Sequence, residues 1–327
     1  MRTVFLTGAT GFIGGRLARR LSGRGDRMRC LIRASSRSGN LRELGAELVV
    51  GELNDVDTLT RAMKGCDVAY HLAAIYDIGV VSAAELQRVN VSGTRAFVEA
   101  ATRAGVPRAV YVSTTVALGP SDGGADENLH EYAGPYPSTY HRTKAEAHRL
   151  AREAMDRGAP LIIACPAFVY GPGDAGPGGR FIADLLRRRV PALLTSPAWF
   201  SYVHVEDVAS GLELIGEHGR LGGTYVLSGE AASMNAFAER VAKVGGVKPP
   251  PLKFPPAVAE LTGRLLDPLS RLSGIRLPIS REAVATTARD RWIHSHARAE
   301  RELGWKPRTL NDGLPETVAW FRGQLSK

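Results

Sequence analysis

Hydrophobic positions in the first 165 residues fall into two alternating textures. Short apolar or β-branched runs occur at Thr3 to Thr7, Met28 to Ile32, Glu47 to Val50, Val68 to Leu72, Ala109 to Ser113 and Leu161 to Cys165. Several are apolar almost without interruption, which predicts parallel strands covered on both faces. Between them, apolar positions recur at helical spacing over Ile13 to Leu21, Asp57 to Met63, Val91 to Ala104 and Ser138 to Arg157. Strands alternating with helices predict an α/β fold built on a doubly wound parallel sheet.

The texture changes after Pro166. Glycine and proline cluster from Gly171 to Gly179, prolines recur from Pro249 to Pro256, and one further strand is predicted at Thr224 to Leu227. Helical patterns dominate the rest. The reading is a first domain over residues 1–165 and a smaller, mostly helical C-terminal cap over 166–327, with 202–228 returning to the first part. Ala257 to Leu272 is amphipathic and predicts a helix packed on the cap.

Composition narrows the class. The 327 residues can bury a large core, and 44% hydrophobic with 23% charged content is that of a globular protein. No apolar run reaches the roughly 20 residues needed to span a bilayer. The N-terminus reads as a strand running into a glycine turn rather than as a leader, so a cytoplasmic location is expected. The net charge of +9 is spread along the chain, and its densest run, Arg187 to Arg189, has no interleaved aromatics. A solvated helix face is the expectation there, and no nucleic-acid partner. Cys30, Cys66 and Cys165 lie in or beside apolar stretches without metal-type spacing, and read as core residues; no metal is expected.

Thr7-Gly8-Ala9-Thr10-Gly11-Phe12-Ile13-Gly14 joins the first strand to the first helix. Glycines there let the backbone turn sharply and approach a pyrophosphate, while the helix N-terminus offers free N–H groups and the positive end of its dipole. The turn predicts a dinucleotide site. NAD sites place an acid near the end of the second strand, for the ribose 2′-hydroxyl. Here Ile32 occupies that slot and Arg33 follows, with Ser35, Ser36 and Arg37 nearby. A guanidinium there suits an adenosine 2′-phosphate, so NADP is the expected cofactor.

Tyr140 and Lys144 stand four residues apart at the start of a helix, hence on one face. A free tyrosine, with a pKa of about 10, is a poor base near neutrality. Bringing it close to 7 takes roughly 4 kcal/mol, which one cation about 4 Å away at an effective dielectric near 20 supplies. Upstream, the strand Ala109-Val110-Tyr111-Val112-Ser113-Thr114-Thr115 ends in hydroxyls, at the end of an open sheet where ligands bind. Either Ser113 or Thr114 could hold a substrate oxygen in line with the tyrosine.

These segments resemble the extended short-chain dehydrogenase/reductase family, a Rossmann-type fold, over nearly the whole chain. The resemblance implies that Gly8, Thr10, Gly11, Phe12, Ile13 and Gly14 hold the cofactor, and that Leu53 lies near its adenine. It also implies that Leu72, Ala73 and Ala74 run along the dinucleotide, and that Asn90 holds the active-site helix. Tyr140 would be the acid/base, with Lys144 also binding the nicotinamide ribose. Pro166 and Val169 would belong to the loop over the nicotinamide. Counting back from Gly119 makes Thr114 the catalytic hydroxyl and Ser113 the runner-up. His204-Val205-Glu206-Asp207 reads as architectural.

Positions that are polar in nucleotide-sugar enzymes are here Phe168, Phe200 and Ser201. With Trp199 and Tyr202, the two phenylalanines are pocket candidates. An apolar pocket cannot meet the desolvation cost of a diphosphate. The chain therefore looks closest to dihydroflavonol-reductase-like and 3β-hydroxysteroid-dehydrogenase-like members. The expected activity is NADP(H)-dependent hydride transfer to a ketone or aldehyde, or from a secondary alcohol, of an apolar small molecule. The alternatives are a nucleotide-sugar epimerase or dehydratase with tightly held NAD(P), and a non-catalytic NADP-binding sensor. Homodimers are common in that family.

Overall fold

The computed structural model describes residues 1–76, 81–123, 132–195, 198–255 and 290–325. Its centre is a seven-stranded parallel sheet of β1 (Thr3–Thr7), β2 (Arg27–Ile32), β3 (Glu47–Val50), β4 (Val68–His71), β5 (Ala109–Val112), β7 (Leu161–Pro166) and β11 (Thr224–Leu227), β6 and β8 to β10 lying elsewhere. The order across it is β11-β7-β5-β4-β1-β2-β3. Strand order reverses direction between β1 and β4, so a crevice opens at their C-terminal ends.

Alternation on the strands explains the two covered faces. From β1, Val4 and Leu6 pack with Leu17 and Leu21 of α1 (Phe12–Gly23) and with Val208, Leu212 and Ile215 of α8 (Val205–His218). Phe5 points the other way. It joins Leu59 and Met63 of α3 (Val56–Met63), Phe97 of α5 (Gly93–Arg103) and Ala147 and Ala151 of α6 (Thr139–Asp156). Cys30, Cys66 and Cys165 are buried in these layers.

A second sheet of short strands carries the cap: β12 (Ala231–Ser233), β10 (Trp199–His204), β14 (Arg291–Ile293) and β6 (Ser121–Asp122), with β8 (Phe168–Tyr170) also pairing β10. The remaining pair, β9 (Ala192–Leu194) and β13 (Leu252–Phe254), is parallel. Helices α7 (Pro177–Leu186), α9 (Met234–Val244) and α11 (Leu310–Leu325) enclose an aromatic core with Phe200, Tyr202, Phe237 and Trp292. After α8 and β11, α10 (Ala297–Leu303) and Trp305 also pack on the main sheet. The amphipathic stretch Ala257 to Leu272 lies outside the described residues. None of the described helices is long and apolar enough to cross a membrane.

Candidate active site

Beyond the last residue of β5, the chain lays out two hydroxyls that meet different residues of α6. Ser113 is buried, and its Oγ lies 2.9 Å from Nδ1 of His148 on α6. Thr114, in extended backbone, sits near enough to the Tyr140 phenol to pull its pKa back. It also accepts from the Val116 N–H at 3.4 Å, capping a short helical turn.

Helix α6 begins where Ser138 accepts the His141 N–H at 3.3 Å. That cap places Tyr140 in the first turn and Lys144 one turn on, both buried. The Lys144 ammonium donates to the Val112 carbonyl at 3.2 Å and the Tyr111 phenol at 3.4 Å, and lies 5.1 Å from the Tyr111 ring centroid. The simple arithmetic of a cation lowering the phenol is not what governs here. Burial comes first and holds the Tyr140 phenol well above its usual range, with Tyr76 and Tyr111 pushing the same way and the Thr114 hydroxyl pulling back. The ammonium's own hydrogen bonds run to the strand end beneath the phenol.

The glycine turn is built around backbone contact. Gly8 has φ of +72°, and a methyl there would stand 2.6 Å from the Ala73 nitrogen. At Gly14 a methyl would stand 2.1 Å from the Gly8 carbonyl oxygen. A side chain at either position would push the turn off Leu72-Ala73 or off α1. Gly11 precedes α1 without any side-chain cap. The helix N-terminus therefore keeps its N–H groups for an anion. This cradle fits a dinucleotide pyrophosphate.

One buried polar chain ties the turn to α6. Thr7 Oγ1 lies 2.8 Å from His71 Nδ1 and accepts the Ala73 N–H at 3.2 Å. Thr94 Oγ1 lies 3.3 Å from His71 Nε2 and donates to the Asn90 carbonyl at 2.7 Å. Asn90 accepts from the Ile75 N–H at 2.9 Å and donates to the Ile75 carbonyl at 3.2 Å and to Thr143 Oγ1 at 3.3 Å. Residues Gln87–Ser92 form a π-helical segment, a departure that recurs at functional sites. Burial, followed by the Lys144 charge, brings His71 down to about 3, so its ring is neutral.

The remaining candidates spread along the crevice. Ala74 is exposed at its mouth, as are Thr10 and Gly11, while Phe12 and Ile13 are half-buried. Arg33 stands exposed after β2, its N–H donating to Ser36 Oγ at 3.1 Å. Leu53, half-buried after β3, packs beside Gly93. Pro166 ends β7, and Val169 in β8 pairs with Val203. Phe200 and Tyr202 are buried in the cap core, where Tyr202 stacks on Phe237 at 4.3 Å. Phe168 is half-buried against them, and Trp199 is on the surface beneath Arg291. His204 caps α8, accepting from the Glu206 N–H at 3.3 Å. Tyr76 and Tyr111 were not anticipated. Tyr76 follows the His71–Ala74 segment and packs on Tyr140, and Tyr111 reads in the sequence only as a strand residue.

Residues 4–228 match the family model described as NAD dependent epimerase/dehydratase family. Sterol demethylase protein B of Methylococcus capsulatus is 34% identical, over 98% of both chains. The 3 beta-hydroxysteroid dehydrogenase/Delta 5-->4-isomerase of Mycobacterium tuberculosis is 30% identical, over 97% of this chain and 91% of that one. The crystal structure of gox2253 superposes with a TM-score of 0.84 at 33% identity, covering 99% of each chain. With its parallel sheet, glycine turn and Tyr140/Lys144 helix, this chain belongs to the NAD dependent epimerase/dehydratase family, the extended short-chain dehydrogenases/reductases.

Proposed function

We propose that this protein interconverts a ketone or aldehyde with its alcohol on an apolar small molecule, using NADP(H) in preference to NAD(H). The observation that carries the reading is the Thr114 hydroxyl set beside the Tyr140 phenol at the sheet's C-terminal end, with Lys144 one helical turn on. A substrate oxygen placed between them meets two hydroxyls at once. Tyr140 can give its proton to the oxygen in reduction or take one in oxidation. Thr114 orients the oxygen, while the Lys144 ammonium is held by the Val112 carbonyl and the Tyr111 phenol. A phenol kept protonated by burial is ready to donate, which suits the reductive direction.

When bound, the nicotinamide supplies or accepts the hydride. Gly8 to Gly14 would hold the pyrophosphate, Leu53 and Leu72 to Ala74 would line the dinucleotide, and Pro166 and Val169 would flank its nicotinamide end. Arg33 would meet the adenosine 2′-phosphate. An apolar substrate is supported by the half-buried Phe168 in place of a polar group, and by relatives named for sterol and hydroxysteroid chemistry.

Purified protein should consume NADPH faster than NADH with an apolar ketone, and Arg33→Ala should shrink that preference. Tyr140→Phe should lower kcat by about 10²- to 10⁴-fold. Undiminished turnover in Tyr140→Phe overturns the mechanism. The family name itself keeps a second reading, sugar-nucleotide epimerisation or dehydration. That activity would show as NAD(P) retained through purification and as thermal stabilisation by UDP- or dTDP-sugars.

A further inference from the structure

Tyr76 is held in place from behind. The preceding residue, Ile75, is tied in both directions to the Asn90 side chain, at 2.9 Å and 3.2 Å. From that anchored backbone the Tyr76 ring reaches over the catalytic phenol, its centroid 5.0 Å from that of Tyr140 with the planes tilted by 60°. Its other flank nears the turn before α7, where a methyl on Gly176 would stand 3.6 Å from Tyr76 Cδ1. Among the described residues, the rings of Tyr76 and His141 pack on Tyr140. His141 is 1% exposed, whereas Tyr76 is 46% exposed. The cap aromatics Phe200, Tyr202 and Phe237 are buried against one another, so they present little free ring surface.

From this arrangement we infer that Tyr76 is a specificity-determining residue that selects planar, π-rich carbonyl compounds. The inference rests on the carbonyl reading above. An oxygen seated between Tyr140 and Thr114 directs the body of its molecule out past the Tyr76 ring. A flat ring system attached to that carbonyl can lie against the exposed face in offset or edge geometry. A saturated, puckered ring system of the same carbon count covers similar apolar area but has no quadrupole to match. Such aromatic pairs add about two- to tenfold in affinity beyond area burial.

The test compares acetylnaphthalene with its fully saturated acetyldecalin counterpart. Binding of each to the NADP⁺-loaded protein is measured by calorimetry, alongside KM and kcat with NADPH. The quantity read is the ratio of the two affinities, in the native protein, in Tyr76→Phe and in Tyr76→Leu. Tyr76→Phe should keep the native ratio, because the ring remains. Tyr76→Leu should lower the preference for the naphthyl compound by about two- to tenfold, with the change in KM rather than kcat. An unchanged ratio in Tyr76→Leu overturns the assignment, as does an equal loss in Tyr76→Phe, which would move the effect to the hydroxyl. If the native protein turns over neither ketone, the carbonyl reading fails on that result alone, while the binding ratios still decide the role of Tyr76.

Discussion

Mild acid should destabilise this protein through four buried histidines. His71 is clamped between Thr7 and Thr94, His148 bonds Ser113, His141 bonds Ser138 while packing on Trp292, and His204 caps α8. Burial is the main cause in each case, lowering His71, His148 and His204 to about 3 and His141 to about 4. In the unfolded chain each titrates near about 6.5. Between the folded and unfolded values, the unfolded chain takes up a proton that the folded chain does not. Stability is therefore intact above about pH 6.5 and falls as the pH drops below it. From about pH 7.5 to about 5.5, each histidine removes roughly 1.4 kcal/mol, and the four together about 5–6 kcal/mol. Against a typical stability of about 5–15 kcal/mol, that is a large share. Burial lowers His294 and His296 too, in the same sense, whereas it raises Asp174, which acts oppositely. Urea unfolding followed by tryptophan fluorescence, at fixed ionic strength across this window, measures the slope. His148→Asn keeps a hydrogen-bonding group near the Nδ1 position without titrating, and should make the slope about one quarter shallower. A midpoint that does not move, or equal slopes in both proteins, would refute the reasoning.

Two further substitutions test the site. Thr114→Val removes the hydroxyl beside Tyr140 and should cut kcat by about 10²- to 10³-fold, whereas Ser113→Ala should leave most turnover. Ser113→Ala should instead lower stability by about 1–3 kcal/mol, because His148 Nδ1 loses its buried partner; kinetics and melting curves on both variants would expose the reverse pattern. Gly14→Ala forces a methyl against the Gly8 carbonyl, which separates the turn from α1. NADPH affinity, read by fluorescence titration, should fall at least about tenfold, and an unchanged affinity would remove the turn from the cofactor site.

The sequence by itself determined what depends on near neighbours. Strands such as Thr3–Thr7 and Glu47–Val50 carry their apolar pattern in four or five residues, so their bounds were readable. The glycine turn and the Tyr140–Lys144 spacing are also local, because a turn and one helical repeat set their geometry. Tertiary structure alone decided what depends on distant partners. The two-residue strand Ser121–Asp122 exists only because Arg291–Ile293 lies beside it. Adjacent strand-end hydroxyls look equivalent in sequence, yet packing gives Ser113 to His148 and Thr114 to Tyr140. The direction of the Lys144 ammonium, the placement of Tyr76 over the phenol and the rise of the Tyr140 pKa belong to the same class. Each follows from which groups the fold removes from water and what it packs around them, and no short run of residues encodes that.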